Sequence, residues 1–162
     1  MWQQLKKNVL TKVVLLLALF AASGVMVANA AGTFKNEPNG FADLYWGESL
    51  DSVKATHYVK YQSSANNVDI YAVVVDDAKG DLYLKGRVLT FVSFKNNRIH
   101  NIKIPLMGTY TKMIQPLSNI YGSPSINNMV MKWEGSKTIM LLGPLSLEKN
   151  DGLIILFDAS MQ

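Results

Sequence analysis

Residues 88–106 constrain the fold more than any other stretch of this chain. Leu89, Thr90, Phe91, Val92, Ser93 and Phe94 form one β-rich run, and Ile99, His100, Asn101, Ile102, Lys103 and Ile104 form a second. Asn96 and Asn97 stand between them, and Asn tolerates the left-handed backbone that a tight hairpin turn requires. The stretch therefore predicts a β-hairpin with Phe94 paired to Ile99. That register sets Leu89, Phe91 and Ser93 opposite Ile104, Ile102 and His100 on an expected core face. It sets Thr90 and Val92 opposite Lys103 and Asn101 on a mixed face. A slip of one residue would carry Lys103 and Asn101 into the apolar face, so strict alternation argues for this pairing. Pro105 has no N–H to donate and should end the ladder.

Ahead of this hairpin, Lys6, Lys7 and Lys12 flank an apolar run over residues 13–27, broken only at Ser23 and Gly24. Ala28, Asn29 and Ala30 then make a small-x-small site. Residues 1–30 read as a secretory signal peptide, cleaved before Ala31. The rival is an uncleaved anchor, since residues 13–31 nearly span a hydrocarbon core of ~30 Å. The small residues at 28 and 30 favour cleavage, and with it a periplasmic or secreted protein that is not inserted in a membrane. The chain has no Cys. Disulfides, thiol catalysis, Fe–S clusters, Cys-type zinc sites and a lipid-anchored N-terminus are thereby excluded.

Removing the leader changes the electrostatics. All 12 acidic residues but only 13 of the 16 basic ones follow residue 30, so the remainder carries 13 − 12 = +1. Nothing in that balance suggests nucleic acid or an anionic membrane as partner. The remaining 162 − 30 = 132 residues suit one domain.

Within it, residues 31–40 are polar and turn-rich and read as a tether, leaving a single domain over residues 41–162. Ser49 can cap a short helix over residues 50–56, with Asp51 in its first turn. Strands are expected over 58–62, 68–75 and 81–87, with turns at 63–67 and 76–80. Tyr110, Met113, Ile114, Leu117, Ile120 and Tyr121 recur on one helical face, stopped by Gly122 and Pro124. Pro116 interrupts that helix and predicts a kink or a late start. Residues 129–134 and 137–142 read as a hairpin that turns at Gly135 and Ser136 and sets Glu134 opposite Lys137. The continuous apolar run 153–157 reads as a central strand. Together these elements predict an α+β domain of two layers, a curved antiparallel sheet with two helices on one face.

Tyr45, Trp46, Gly47, Ser49, Leu50 and Val53, taken with Leu117, Tyr121, Gly122, Pro124, Trp133, Ile139, Leu141, Leu153 and Ile155, resemble a diffuse group of small exported bacterial proteins without assigned activity. At the level of fold the chain is similar to β-lactamase-inhibitor-protein-like domains. These include the small lipoprotein of the outer-membrane β-barrel assembly machine. The resemblance implies a helical segment ahead of an antiparallel sheet and a role in binding other proteins. The chain departs from the lipoprotein in lacking its anchoring Cys.

No catalytic motif emerges. Ser93 and His100 are cross-strand neighbours in the register above, yet a Ser–His nucleophile needs a third orienting group and an oxyanion hole. The two His, His57 and His100, have no metal-ligand spacing, and Asp76, Asp77 and Asp81 read as a solvated turn. No cofactor is expected. The Tyr residues are the remaining resource, and Tyr61, Tyr71 and Tyr83 form the candidate binding surface if one sheet face lies open. The expected function is a non-enzymatic binding domain for an envelope or extracellular protein. A structural or assembly factor of the envelope is the second reading, and a small hydrolase using Ser93 and His100 the third.

Overall fold

The computed structural model describes residues 32–77, 84 and 86–161. The leader, the 78–83 turn region with most of the expected 81–87 strand, and Tyr83 lie outside the described residues. The chain runs β1 (Gly32–Thr33), β2 (Gly40–Phe41), β3 (Leu44–Tyr45), α1 (Leu50–Thr56), β4 (Tyr58–Ala65), β5 (Val68–Asp76), β6 (Arg87–Lys95) and β7 (Arg98–Leu106). It continues through α2 (Tyr110–Tyr121), β8 (Ser125–Asn127), β9 (Val130–Glu134), β10 (Thr138–Ser146) and β11 (Asp151–Asp158), and a 3-10 turn follows over Ala159–Met161. It is a sheet-rich α+β fold. The main sheet has the order β1-β9-β10-β11-β7-β6-β5-β4, with β8 also on β9. Its pairs are antiparallel except that of β1 with β9, which is parallel. A helix followed by a four-strand meander occurs twice, and the two meanders meet through their last strands, β7 and β11.

Asn supplies the hairpin apices. Asn66 and Asn67 (φ 53° and 61°) and Asn96 and Asn97 (φ 52° and 61°) turn in left-handed conformation, as two-residue hairpin loops require. Ser49 accepts from the Ser52 N–H and starts α1. The segment before it is tied to the sheet, because the Ile99 N–H donates to the Glu48 carbonyl (2.9 Å). Pro116 sits inside α2 without ending it. The carbonyl that Pro116 cannot serve belongs to Lys112, which is exposed.

Residues 31–40 are not a loose tether. From Gly32 onward they are part of the domain: β1 pairs with β9, and the Lys35 N–H donates to the Tyr121 carbonyl (2.8 Å). Asn36 Nδ2 donates to the Ile120 carbonyl (2.8 Å). Glu37 reaches across to the turn between β9 and β10, where its carboxylate accepts from the N–H groups of Lys137 and Thr138 and from the Ser136 hydroxyl. Burial raises the Glu37 pKa, but these donors outweigh it and hold the carboxyl below its ordinary value. The clasp also reshapes the turn. A Cβ at Gly135 would collide with the Glu37 carboxylate, and Glu134 pairs with Ile139 rather than Lys137. Glu134 instead forms an ion pair with Lys132 on its own strand (2.7 Å).

The β6–β7 hairpin departs from its expected register in one place. Phe94 does pair with Ile99, but Ser93 pairs with Asn101, leaving His100 as the extra residue of a β-bulge. Beyond the bulge every partner is displaced by one: Val92 faces Ile102 and Phe91 faces Lys103. The sheet thus acquires two distinct faces. On the first, the rows Val92–Ile102–Leu156–Met140–Trp133 and Ile104–Ile154–Leu142–Met131 are buried. They form one apolar cluster with Val53 of α1 and Tyr110, Met113, Leu117 and Tyr121 of α2. We call this the core face.

Candidate binding face

The bulge decides what the other face carries. Strand by strand, the residues paired across it are Lys60, Ala72, Phe91, Lys103, Ile155, Leu141 and Lys132. On one side of this row lie Tyr58, Val74, Leu89, Pro105, Leu153 and Gly143. On the other lie Ile70, Ser93, Asn101, Phe157, Ile139 and Glu134. None of these side chains belongs to the buried core cluster. Leu89 is 48% exposed, and Ala72, Val74, Phe91, Leu141 and Phe157 are half-buried. Aliphatic and aromatic side chains therefore form a continuous apolar second face.

Lys103 stands in the middle of it, on one of the two central strands. Only 8% of the residue is exposed, and it has no ion-pair or hydrogen-bond partner among the described residues. Its cross-strand neighbours, Phe91 and Ile155, offer it no charge. Burial alone lowers its pKa from 10.5 to about 8, because an apolar surrounding disfavours the charged form. Beside it on the same strand, Asn101 is 4% exposed and its Oδ1 has no hydrogen-bond partner. Buried polar groups are nearly always paired, so an unpartnered Asn101 oxygen beside a lysine with no counter-ion marks an unusual place. The carboxylates of this face sit at its margins. Asp76 is opposite Arg87 at the strand ends, Glu134 is held by Lys132, and Asp151 accepts from the Gly108 N–H (2.8 Å).

The Ser–His pair is not assembled. The bulge moves Ser93 opposite Asn101, and no hydrogen bond joins Ser93 to His100 among the described residues. The His100 Nδ1 is buried without a partner. Burial and then Lys95 lower the His100 pKa, Lys103 adds to this, and Asp158 opposes it. Among the described residues no group of His, Asp and Glu could hold a metal ion.

Tyr61 and Tyr71 are brought together, with ring centroids 5.4 Å apart in edge contact. They lie on the core face, however, because Tyr71 pairs with Val92 and Tyr61 with Tyr71. Tyr71 also touches Phe94, and the Lys54 ammonium of α1 lies 5.5 Å above its ring. Tyr61, 54% exposed, continues this edge into solvent. Tyr83 lies outside the described residues. A cavity of about 360 Å³ occurs elsewhere, lined by Asn36, Glu37, Phe41, Tyr45, Tyr121 and Leu156 among others. Its one carboxylate, Glu37, is already committed to the β9–β10 turn.

Lys103 and Asn101 were placed by alternation on a mixed face, and their burial was not anticipated. The signal was present in the spacing of Ile99, Ile102 and Ile104, since an odd step of three can keep all three on one face only through a bulge. No protein-family model, no curated protein and no solved structure matches this chain.

Proposed function

We propose that this chain is an exported, non-enzymatic binding domain whose ligand surface is the second face of the sheet. In this reading the domain has two layers, with both helices over the core face of a curved antiparallel sheet and the second face open to a partner. Export to the periplasm or cell exterior rests on the Lys-rich, apolar and small-residue order of residues 1–30. No helix among the described residues is long and apolar enough to cross a membrane. The observation that carries the reading is the continuous apolar face surrounding an unpaired Lys103. Contiguous apolar side chains left partly in solvent mark binding sites, and around Lys103 the side chains of Tyr58 and Leu89 are exposed and those of Ala72, Val74, Phe91, Leu141 and Phe157 half-buried.

The test is titration of the pure protein with Nile red, an uncharged dye that fluoresces in apolar surroundings. Saturable binding is expected, lost in the Phe91→Ser/Leu141→Ser double variant and kept in Tyr61→Ser. Circular dichroism would confirm that the variants fold. Binding that survives in the double variant, or that disappears in Tyr61→Ser, would contradict the proposed face. The second outcome would move the site to the tyrosine edge.

A further inference from the structure

An apolar face with a basic group at its centre restricts what can cover it. Leaving the Lys103 ammonium under a purely apolar partner would desolvate it further with no compensation, which is costly. The occupant must therefore bring an anion to the centre of the contact and apolar groups to its surroundings. Three sources can be weighed by charge. Residues 1–30 contain Lys6, Lys7 and Lys12 and no acidic residue, so the leader would add like charge. A second copy packed by a two-fold axis at the centre of this face would set Lys103 near its own equivalent, and the face's carboxylates lie at its margins, with Glu134 and Asp151 engaged. A fatty carboxylate carries its charge at one end. Lys103 has apolar neighbours on both sides, Phe91 and Ala72 toward one edge and Ile155 and Leu141 toward the other, over strands spaced ~4.8 Å apart. That arrangement calls for a charge in the middle of an apolar surface.

Resting on the binding-domain reading above, we infer that the second face docks a protein segment presenting one Asp or Glu side chain ringed by apolar residues, its carboxylate seated on the Lys103 ammonium. Lys60, at one end of the central row, extends the same sign of charge to the rim, while Lys132 at the other end is paired with Glu134. Central, desolvated charge pairs of this kind carry much of an interface's specificity, and the apolar ring around them excludes water.

The experiment uses phage-displayed random peptides, selected on the wild-type protein and on Lys103→Met in parallel. Selection on the wild type should enrich peptides with an Asp or Glu flanked on both sides by Leu, Ile, Val, Phe or Trp. Selection on Lys103→Met should enrich apolar peptides without the acid. The best wild-type binder, synthesised, should lose at least about tenfold in affinity toward Lys103→Met, and its Asn or Gln counterpart should lose little further. Enrichment of acid-free peptides on the wild type would overturn the inference. Unchanged affinity toward Lys103→Met with complete loss toward Phe91→Ser would also overturn it, while leaving the second face as the site. Unchanged affinity toward both variants would remove the face itself. Displacement of the peptide by dodecanoate at lower concentration than by the peptide's own free form would assign the face to a lipid carboxylate and overturn the choice of a protein partner.

Discussion

Lys103→Met is expected to stabilise the free protein by about 3 kcal/mol at neutral pH, the free energy corresponding to a fall in lysine pKa from 10.5 to about 8. Met keeps most of the unbranched apolar stem that packs between Phe91 and Ile155 and removes the ammonium. The sign follows from proton counts. Between pH 8 and 10.5 the unfolded chain holds a proton on Lys103 that the folded protein has lost, so wild-type stability rises with pH across that window. Below about pH 8 the penalty is present in full. The gap between variant and wild type should therefore be at its full size at neutral pH and close steadily as pH rises through 8 and beyond. Lys60 and the Lys132–Glu134 pair are the same in both proteins and cancel in the difference, whereas His100, whose pKa Lys103 helps to lower, is less depressed in the variant and widens the gap only on the acidic side of neutrality. Chemical denaturation at a series of pH values measures the gap. Equal stability at pH 7, or a gap that does not change up to pH 9.5, would contradict the burial assigned to Lys103.

Trp133→Ala should have the opposite and larger effect, a loss of roughly 3–5 kcal/mol. Trp133 is fully buried in the row Leu156–Met140–Trp133, and its Nε1 donates to the Gly122 carbonyl at the end of α2 (2.6 Å). Truncation leaves a cavity and also orphans that carbonyl, so the anchorage of α2 to β9 weakens together with the packing. A domain of this size has ~5–15 kcal/mol in total, and the variant should approach unfolding at moderate temperature. A loss below about 1 kcal/mol in denaturant titration would show that Trp133 is not a core residue.

What could be read from the amino-acid order was local. The Asn pairs at 66–67 and 96–97 are legible as hairpin apices because few residues accept the left-handed backbone these turns use. The α2 helix was legible from its apolar period, although Pro116 obscured its first half. Residues 153–157 read as a central strand because both of their sides are apolar, and β11 does lie between β10 and β7. Contacts distant in sequence were not legible. Glu37 looked like part of a solvated tether because nothing local reveals that its carboxylate caps a turn 100 residues away. The bulge at His100 had the largest consequence. Strict alternation assigned Phe91 to the core and Lys103 opposite Thr90, whereas one extra residue turns Phe91 and Lys103 together onto the second face. The face that Tyr61 and Tyr71 occupy was illegible for a similar reason. Tyr61 and Tyr71 are adjacent, but the partner that decides their face is Val92, which is in the core.

The most direct test of the account is an NMR titration of the Lys103 side chain, followed at its labelled Cε in the free protein with Lys103→Met used for assignment. The account predicts a midpoint at about pH 8, set by an ammonium held among apolar side chains without a counter-ion. It also predicts that the midpoint moves back up when an acidic, apolar peptide occupies the second face, because an opposite charge nearby favours the protonated form. A midpoint near 10.5, indistinguishable from the protein's exposed lysines, would contradict it.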